Sequence, residues 1–225
     1  MKLISRSKNL RSVFQSDMSP NLNLNGRLAQ LCVLYEDLRI EMLGIRAKSI
    51  GEMDDIDSMY RQHYFLRRSI GTLREFSYGL VNLDEFPAFV TILNGFNEGD
   101  QSIWRKSVEF FKKHKNQVDA VRNNVGGHFG LEAALYAIKS LRPDAVGTIE
   151  VNDVTMRGTV ITECRLRFAG EIAATATLRS LPGSTDDESL EKEYIRLVKV
   201  VGDGYEHATL ATTVVVVNRM WDRFV

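Results

Sequence analysis

The sequence predicts a mainly α-helical protein: an antiparallel helical bundle with a C-terminal extension that contains a small β-hairpin and further helices. Three observations carry this. Apolar residues recur at spacings of three and four through the first two thirds of the chain. Asn25-Gly26, Gly51, Asn94-Gly95 and Gly126-Gly127 punctuate those runs as helix breaks. Beyond Pro143 short β-favouring runs take over.

Residues 1–26 are polar, rich in Ser and Asn, and predict a solvated arm bearing Lys2, Arg6, Lys8 and Arg11. From Arg27, the series Leu28, Leu31, Tyr35, Leu38, Met42 and Ile45 predicts a helix over 27–48. So narrow a seam suits a near-antiparallel helix or a second subunit. After a turn at Gly51 to Asp55, Ile56, Met59, His63, Leu66, Ile70 and Leu73 line one face of a second helix running to Tyr78. His63, a stripe residue, is expected in the core with a hydrogen-bond partner. Arg67, Arg68 and Arg74 surround this helix, either paired with acids such as Glu75 or available to a phosphate.

Asp84 is expected to cap a short helix ending near Phe96, and Asp100 to cap a long one. In that long helix Trp104, Val108, Phe111, Val118 and Val121 form the buried stripe, with Arg105, Lys106, Lys112, Lys113 and Lys115 on the other face. Residues 128–141 form its partner, stopped by Arg142 and Pro143. Gly147 to Val151 and Gly158 to Thr162 read as a hairpin joined by Asn152 to Arg157. Ile161, Cys164, Phe168, Ile172 and Ala176 then follow helical spacing. Asp186 or Asp187 would cap a helix through Val201, Gly202-Asp203-Gly204 would interrupt it, and a last helix would carry Tyr205, Ala208, Thr212, Val215 and Trp221. The expected organisation is an arm over 1–26, a helical core over 27–142, and an extension over 143–225 packed on that core.

Composition narrows the function. Lys plus Arg and Asp plus Glu number 29 each, so net charge supplies no whole-molecule attraction to nucleic acid or membrane. Any RNA site must be a local patch. Cys32 and Cys164 stand far apart and lack the spacing of metal ligands, which predicts buried, reduced thiols and a cytoplasmic setting. The N-terminus lacks a long apolar core, and Ala208 to Val217 is too short to span a bilayer. No phosphate loop, dinucleotide fingerprint, nucleophile elbow or zinc-protease motif occurs, so no cofactor is expected. Glu52, Asp54, Asp55 and Asp57 suit a solvated helix start better than a metal site.

The chemistry concentrates at Val121-Arg122-Asn123-Asn124-Val125-Gly126-Gly127-His128-Phe129. Arg122 follows Val118 by four residues and so continues the apolar stripe, while His128 precedes Leu131, Leu135 and Ile138 on the packing face of the next helix. Both side chains are thus expected to point inward at one helix break.

An arginine followed by a polar residue and then, at this spacing, by a histidine resembles the motif of the HEPN superfamily of small helical proteins. The resemblance covers residues 27–141 and rests on Arg122, Asn123 and His128. It implies a metal-independent endoribonuclease of the toxin or defence type: His128 as general acid/base, Arg122 on the phosphate, Asn123 orienting one of them. It also implies a homodimer with both motifs lining one cleft, an RNA substrate, and an antitoxin or nucleotidyltransferase as separate partner. Gly126-Gly127 departs from a plain helix entry, loosening the aim of His128 or admitting RNA backbone closely. Two alternatives stand beside it. Arg122 could pair locally with Asp119 while His128 is a buried neutral ring, or the module could bind nucleotide, RNA or a protein without cleavage.

Overall fold

The computed structural model describes residues 7, 9, 21–47, 55–123, 131–141, 146–156, 159–184 and 189–220. Among the described residues seven α-helices dominate: α1 Leu22–Arg46, α2 Asp55–Asp84, α3 Pro87–Leu93, α4 Glu98–Val121, α5 Leu131–Ser140, α6 Arg167–Arg179 and α7 Leu190–Val215. The protein is mainly α, as its apolar spacing predicts.

Helix α1 begins earlier than expected. Asn21 accepts a hydrogen bond from the Leu24 backbone N–H at 3.1 Å, and Leu24 is fully buried. That cap and that anchor draw five residues of the predicted arm into the helix. The seam of α1 packs on α2, whose contacts with it run in opposite chain directions: Ala47 with Arg61, Gly44 with Phe65, Glu41 with Thr72, Leu34 with Gly79. The two helices are therefore antiparallel, and the seam is satisfied within the chain.

The same reasoning orders the other long helices. Arg74 meets Asp119, Phe76 meets Phe111 and Asp84 meets Trp104, so α2 and α4 are antiparallel. Ser107 meets His207 and Asp100 meets Asn218, so α4 runs antiparallel to the chain through α7 and the π-type turn Val216–Met220 that follows it. Leu73 against Gly204 and His63 against Tyr194 make α2 and α7 parallel. Helices α1, α2, α4 and α7 thus form a four-helix bundle. Leu28, Leu73, Phe76, Trp104, Phe111, Leu197, Ala208 and Val215 share one continuous core. The C-terminal helix is the fourth member of that bundle, whereas α5 packs mainly on α6 beside it.

Several helix ends differ from expectation. Asp84 closes α2 and accepts a 2.8 Å hydrogen bond from the fully buried Trp104 indole, so α3 opens instead on Phe86 and Pro87. Asn97 caps α4 by accepting from the Asp100 N–H at 2.9 Å, which places Asp100 inside the first turn. Ser189 caps α7, accepting from the Lys192 N–H; Asp186 and Asp187 lie outside the described residues. Gly202-Asp203-Gly204 does not break α7, because Gly204 is needed where the helix meets α2: a Cβ there would stand 2.9 Å from Leu73 Cδ2. Trp221 lies outside the described residues.

Between α5 and α6, strands β1 Ile149–Met156 and β2 Thr159–Leu166 pair antiparallel, Ile149 opposite Leu166 and Met156 opposite Thr159. Asn152 to Met156, expected in the connection, are strand, and so is Cys164, expected in a helix. Eight-residue pairing overrides a spacing that fits helix only by counting apolar side chains. Cys164 is exposed on β2, against the expectation of a buried thiol, while Cys32 is half-buried in α1. No helix among the described residues is long and apolar enough to cross a membrane.

Candidate functional site

Arg122 closes α4. Its backbone N–H is held by the Asp119 and Val118 carbonyls, and at Arg122-Asn123 the helix widens into a π-type turn. The Arg122 side chain is half-buried beside the fully packed Val121, as its place after Val118 predicts, and Asn123 is exposed. His128, with Gly126 and Gly127, lies outside the described residues. Of the three predicted site residues, two are therefore placed at one helix end.

Helical geometry extends this end into a row. Lys112, Lys115, Asp119 and Arg122 follow at intervals of three and four, so they share one face of α4. Opposite them on α2 stand Arg74, Tyr78 and Asn82. Arg74 Nε donates to Asp119 Oδ1 at 2.8 Å, and the Tyr78 hydroxyl donates to Asp119 Oδ2 at 3.3 Å. The carboxylate expected to pair with Arg122 in the local alternative is thus engaged by α2. Two cations lie over the Tyr78 ring, Arg74 at 4.7 Å and Lys115 at 5.2 Å from its centroid.

Above this cluster a cleft of about 270 Å³ opens between Tyr78, Val81 and Asn82 of α2 and Phe111, Lys112 and Lys115 of α4. Its charge is mixed at one end, where Lys112 Nζ lies 3.9 Å from Asp84 and 3.8 Å from Glu85. Such a surface can hold an anion through Lys115 and the Asn82 amide. Among the described residues no group of His, Cys, Asp and Glu could hold a metal ion.

The remaining candidates sort by burial. His207 Nδ1 lies 3.3 Å from Ser107 Oγ, but Ser107 is fully buried and already donates to the Ile103 carbonyl, so this pair is core packing rather than a nucleophile with its base. Phe110 lies between His207 and His114, its centroid 4.3 Å from each ring. Glu41 accepts from the Thr72 hydroxyl at 2.9 Å, and burial pushes its carboxyl up to about 6. His63 is half-buried, yet its Nδ1 has no hydrogen-bond partner among the described residues, contrary to the expectation of a satisfied core histidine. The signal in the sequence that points to this region is the clustering of Tyr60, His63, Tyr64 and Arg67 on one face of α2; alone it has no chemical meaning, because what faces them lies about a hundred residues away in α6.

No family model matches the chain, and neither does any curated protein or solved structure.

Proposed function

We propose that this protein is a HEPN-like endoribonuclease of the toxin or defence type, cleaving RNA without a metal. His128 takes the ribose 2′-hydroxyl proton and returns a proton to the leaving oxygen, Arg122 neutralises charge developing on the phosphate, and Asn123 orients one of them. The products are a 2′,3′-cyclic phosphate and a 5′-hydroxyl. A homodimer in which both motifs line one cleft belongs to this reading, with an antitoxin or nucleotidyltransferase as a separate protein.

The observation that supports it is the position of Arg122. This half-buried cation ends the Lys112–Lys115 row, where successive phosphates would find charge. The helical bundle that delivers it is compatible with a HEPN-like core.

The test is cleavage of a mixed RNA pool in EDTA by wild type and by folded Arg122→Ala and His128→Ala. Cleavage that survives the chelator and disappears in both variants is expected. Wild-type rates from His128→Ala overturn the assignment. A second reading, a non-catalytic module binding nucleotide, RNA or protein, is favoured by the ion pairs that Lys112 makes in the cleft and Arg74 makes beside it. Retention of RNA without turnover, unchanged by Arg122→Ala, would select it.

A further inference from the structure

Helix α5 lies outside the four-helix bundle, packed mainly on α6, and its apolar stripe faces solvent. Leu131, Leu135 and Ile138, spaced four and three apart as the sequence sets a packing face, are 72%, 41% and 55% exposed. Ala137, on another side of the helix, is fully buried, and the Tyr136 hydroxyl donates to the Arg179 carbonyl of α6 at 3.4 Å. The buried side of α5 thus carries an alanine while the side with leucine and isoleucine is wet. A surface helix adapted to one chain in water would be turned the other way.

The same exposure continues along the chain. Among the described residues, nine of the twenty exposed large apolar side chains fall between Leu131 and Leu166, about a sixth of the sequence. In the hairpin Ile149 lies opposite Leu166 and Val151 opposite Cys164, and all four are exposed on one face. Asp153, the one charge on that face among the described residues, accepts from the Thr162 hydroxyl at 3.0 Å. Averaging about 60% exposure, the nine side chains leave roughly 500 Å² of apolar surface in water. That matches the apolar share, about 65%, of the roughly 800 Å² that each subunit buries in a standard homodimer. The α5 stripe supplies only about a third of it, so the hairpin face has to be covered together with the helix.

We propose that α5 and the exposed face of the hairpin form a two-fold interface with a second copy of this chain. The α5 stripe is self-complementary: where two copies cross antiparallel at Leu135, Leu131 of one helix meets Ile138 of the partner subunit, and the reverse contact follows by symmetry. The stripe carries no charge, and the single carboxylate of the hairpin face is already hydrogen-bonded, so two identical surfaces meet without repulsion. A different protein would be selected by a charge pattern that this face lacks. The interface gives the homodimer of the RNA reading its contact surface, but it is argued from exposure alone, so either can fail without the other.

Sedimentation equilibrium of the full chain without RNA tests it. A monomer–dimer equilibrium with a dissociation constant at or below about 50 µM is expected. Leu135→Glu and Val151→Lys, both at exposed positions, should each weaken it at least about thirtyfold while melting of the dilute protein stays cooperative, and Leu135→Met should restore it. Leu210→Glu, an exposed site on α7 outside the segment, should leave it intact. Cys164 lies on the covered face, so its alkylation should slow as protein concentration rises through the dissociation constant. Should a charged variant fail to fold, that slowing in wild type serves instead. A protein that stays monomeric to about 500 µM, a dimer indifferent to Leu135→Glu or to Val151→Lys, equal loss from Leu210→Glu, or a Cys164 rate independent of concentration would overturn the proposal.

Discussion

Arg74 of α2 donates its Nε–H to Asp119 of α4 at 2.8 Å, one helical turn before Arg122, and this pair joins two helices of the bundle where the candidate site begins. Both side chains keep only about a fifth of their exposure, 22% and 21%, so the pair is worth more than a surface ion pair without the cost of full burial.

Asp119→Ala should therefore lower stability by about 1 kcal/mol, a drop in melting temperature of roughly 2–4 °C for a chain of this size. Arg74→Met should cost a similar amount, and the double variant should fall short of the sum because each single change already breaks the contact. Additive losses in urea titrations would show that the pair contributes nothing.

The glycines of α7 should respond in opposite directions. Gly202 has open space, with nothing within 4 Å, where an added Cβ would stand, so Gly202→Ala should stabilise by about 0.5–1 kcal/mol through helix propensity. Gly204→Ala places its methyl 2.9 Å from Leu73 Cδ2 and should destabilise by about 1–2 kcal/mol. Chemical denaturation of the two variants side by side decides the matter; equal shifts would contradict the close approach of α7 to α2.

Glu41 makes stability depend on pH. Its folded-state pKa of about 6 exceeds the ordinary 4.5, so its contribution is fully present below pH 4.5 and is lost as pH rises through 6. Screening near the half-exposed Arg68, 3.9 Å away, keeps the effect to about 1 kcal/mol. Glu41→Gln, which keeps an acceptor for Thr72, should gain that amount at pH 8 and nothing at pH 4; a gain independent of pH would refute the assignment.

The two thiols should differ sharply in reactivity. Cys164 is exposed on β2, whereas Cys32 sits 3.9 Å from Met220 Sδ, where burial pushes its thiol up to about 11. Iodoacetamide at pH 8 should label one cysteine of the native protein, and Cys164→Ser should abolish that label until the chain is unfolded. Rapid labelling of Cys32 in the native state would show that α1 opens.

The helix spacing in the sequence determined the mainly α fold and most of its buried stripe, because Leu28, Leu31, Leu38, Trp104, Phe111 and Val118 need only be placed at intervals of three and four to face inward. It also placed Arg122 at the end of α4, where it is half-buried. Helix ends were less legible: a cap depends on which of several nearby polar residues reaches a free N–H, and Asn21, Asn97 and Ser189 take positions that Asp100 or the arm residues could have filled by type. Spacing misread Cys164, since strand pairing is a contact between two segments and neither segment carries it alone. Only the tertiary structure decided that α7 is the fourth helix of the bundle, that Asp119 belongs to Arg74, and that the Tyr60–Arg67 face of α2 meets an alanine wall. Each of these joins residues 45 or more positions apart, and helical periodicity says which face of a helix is buried without saying what buries it.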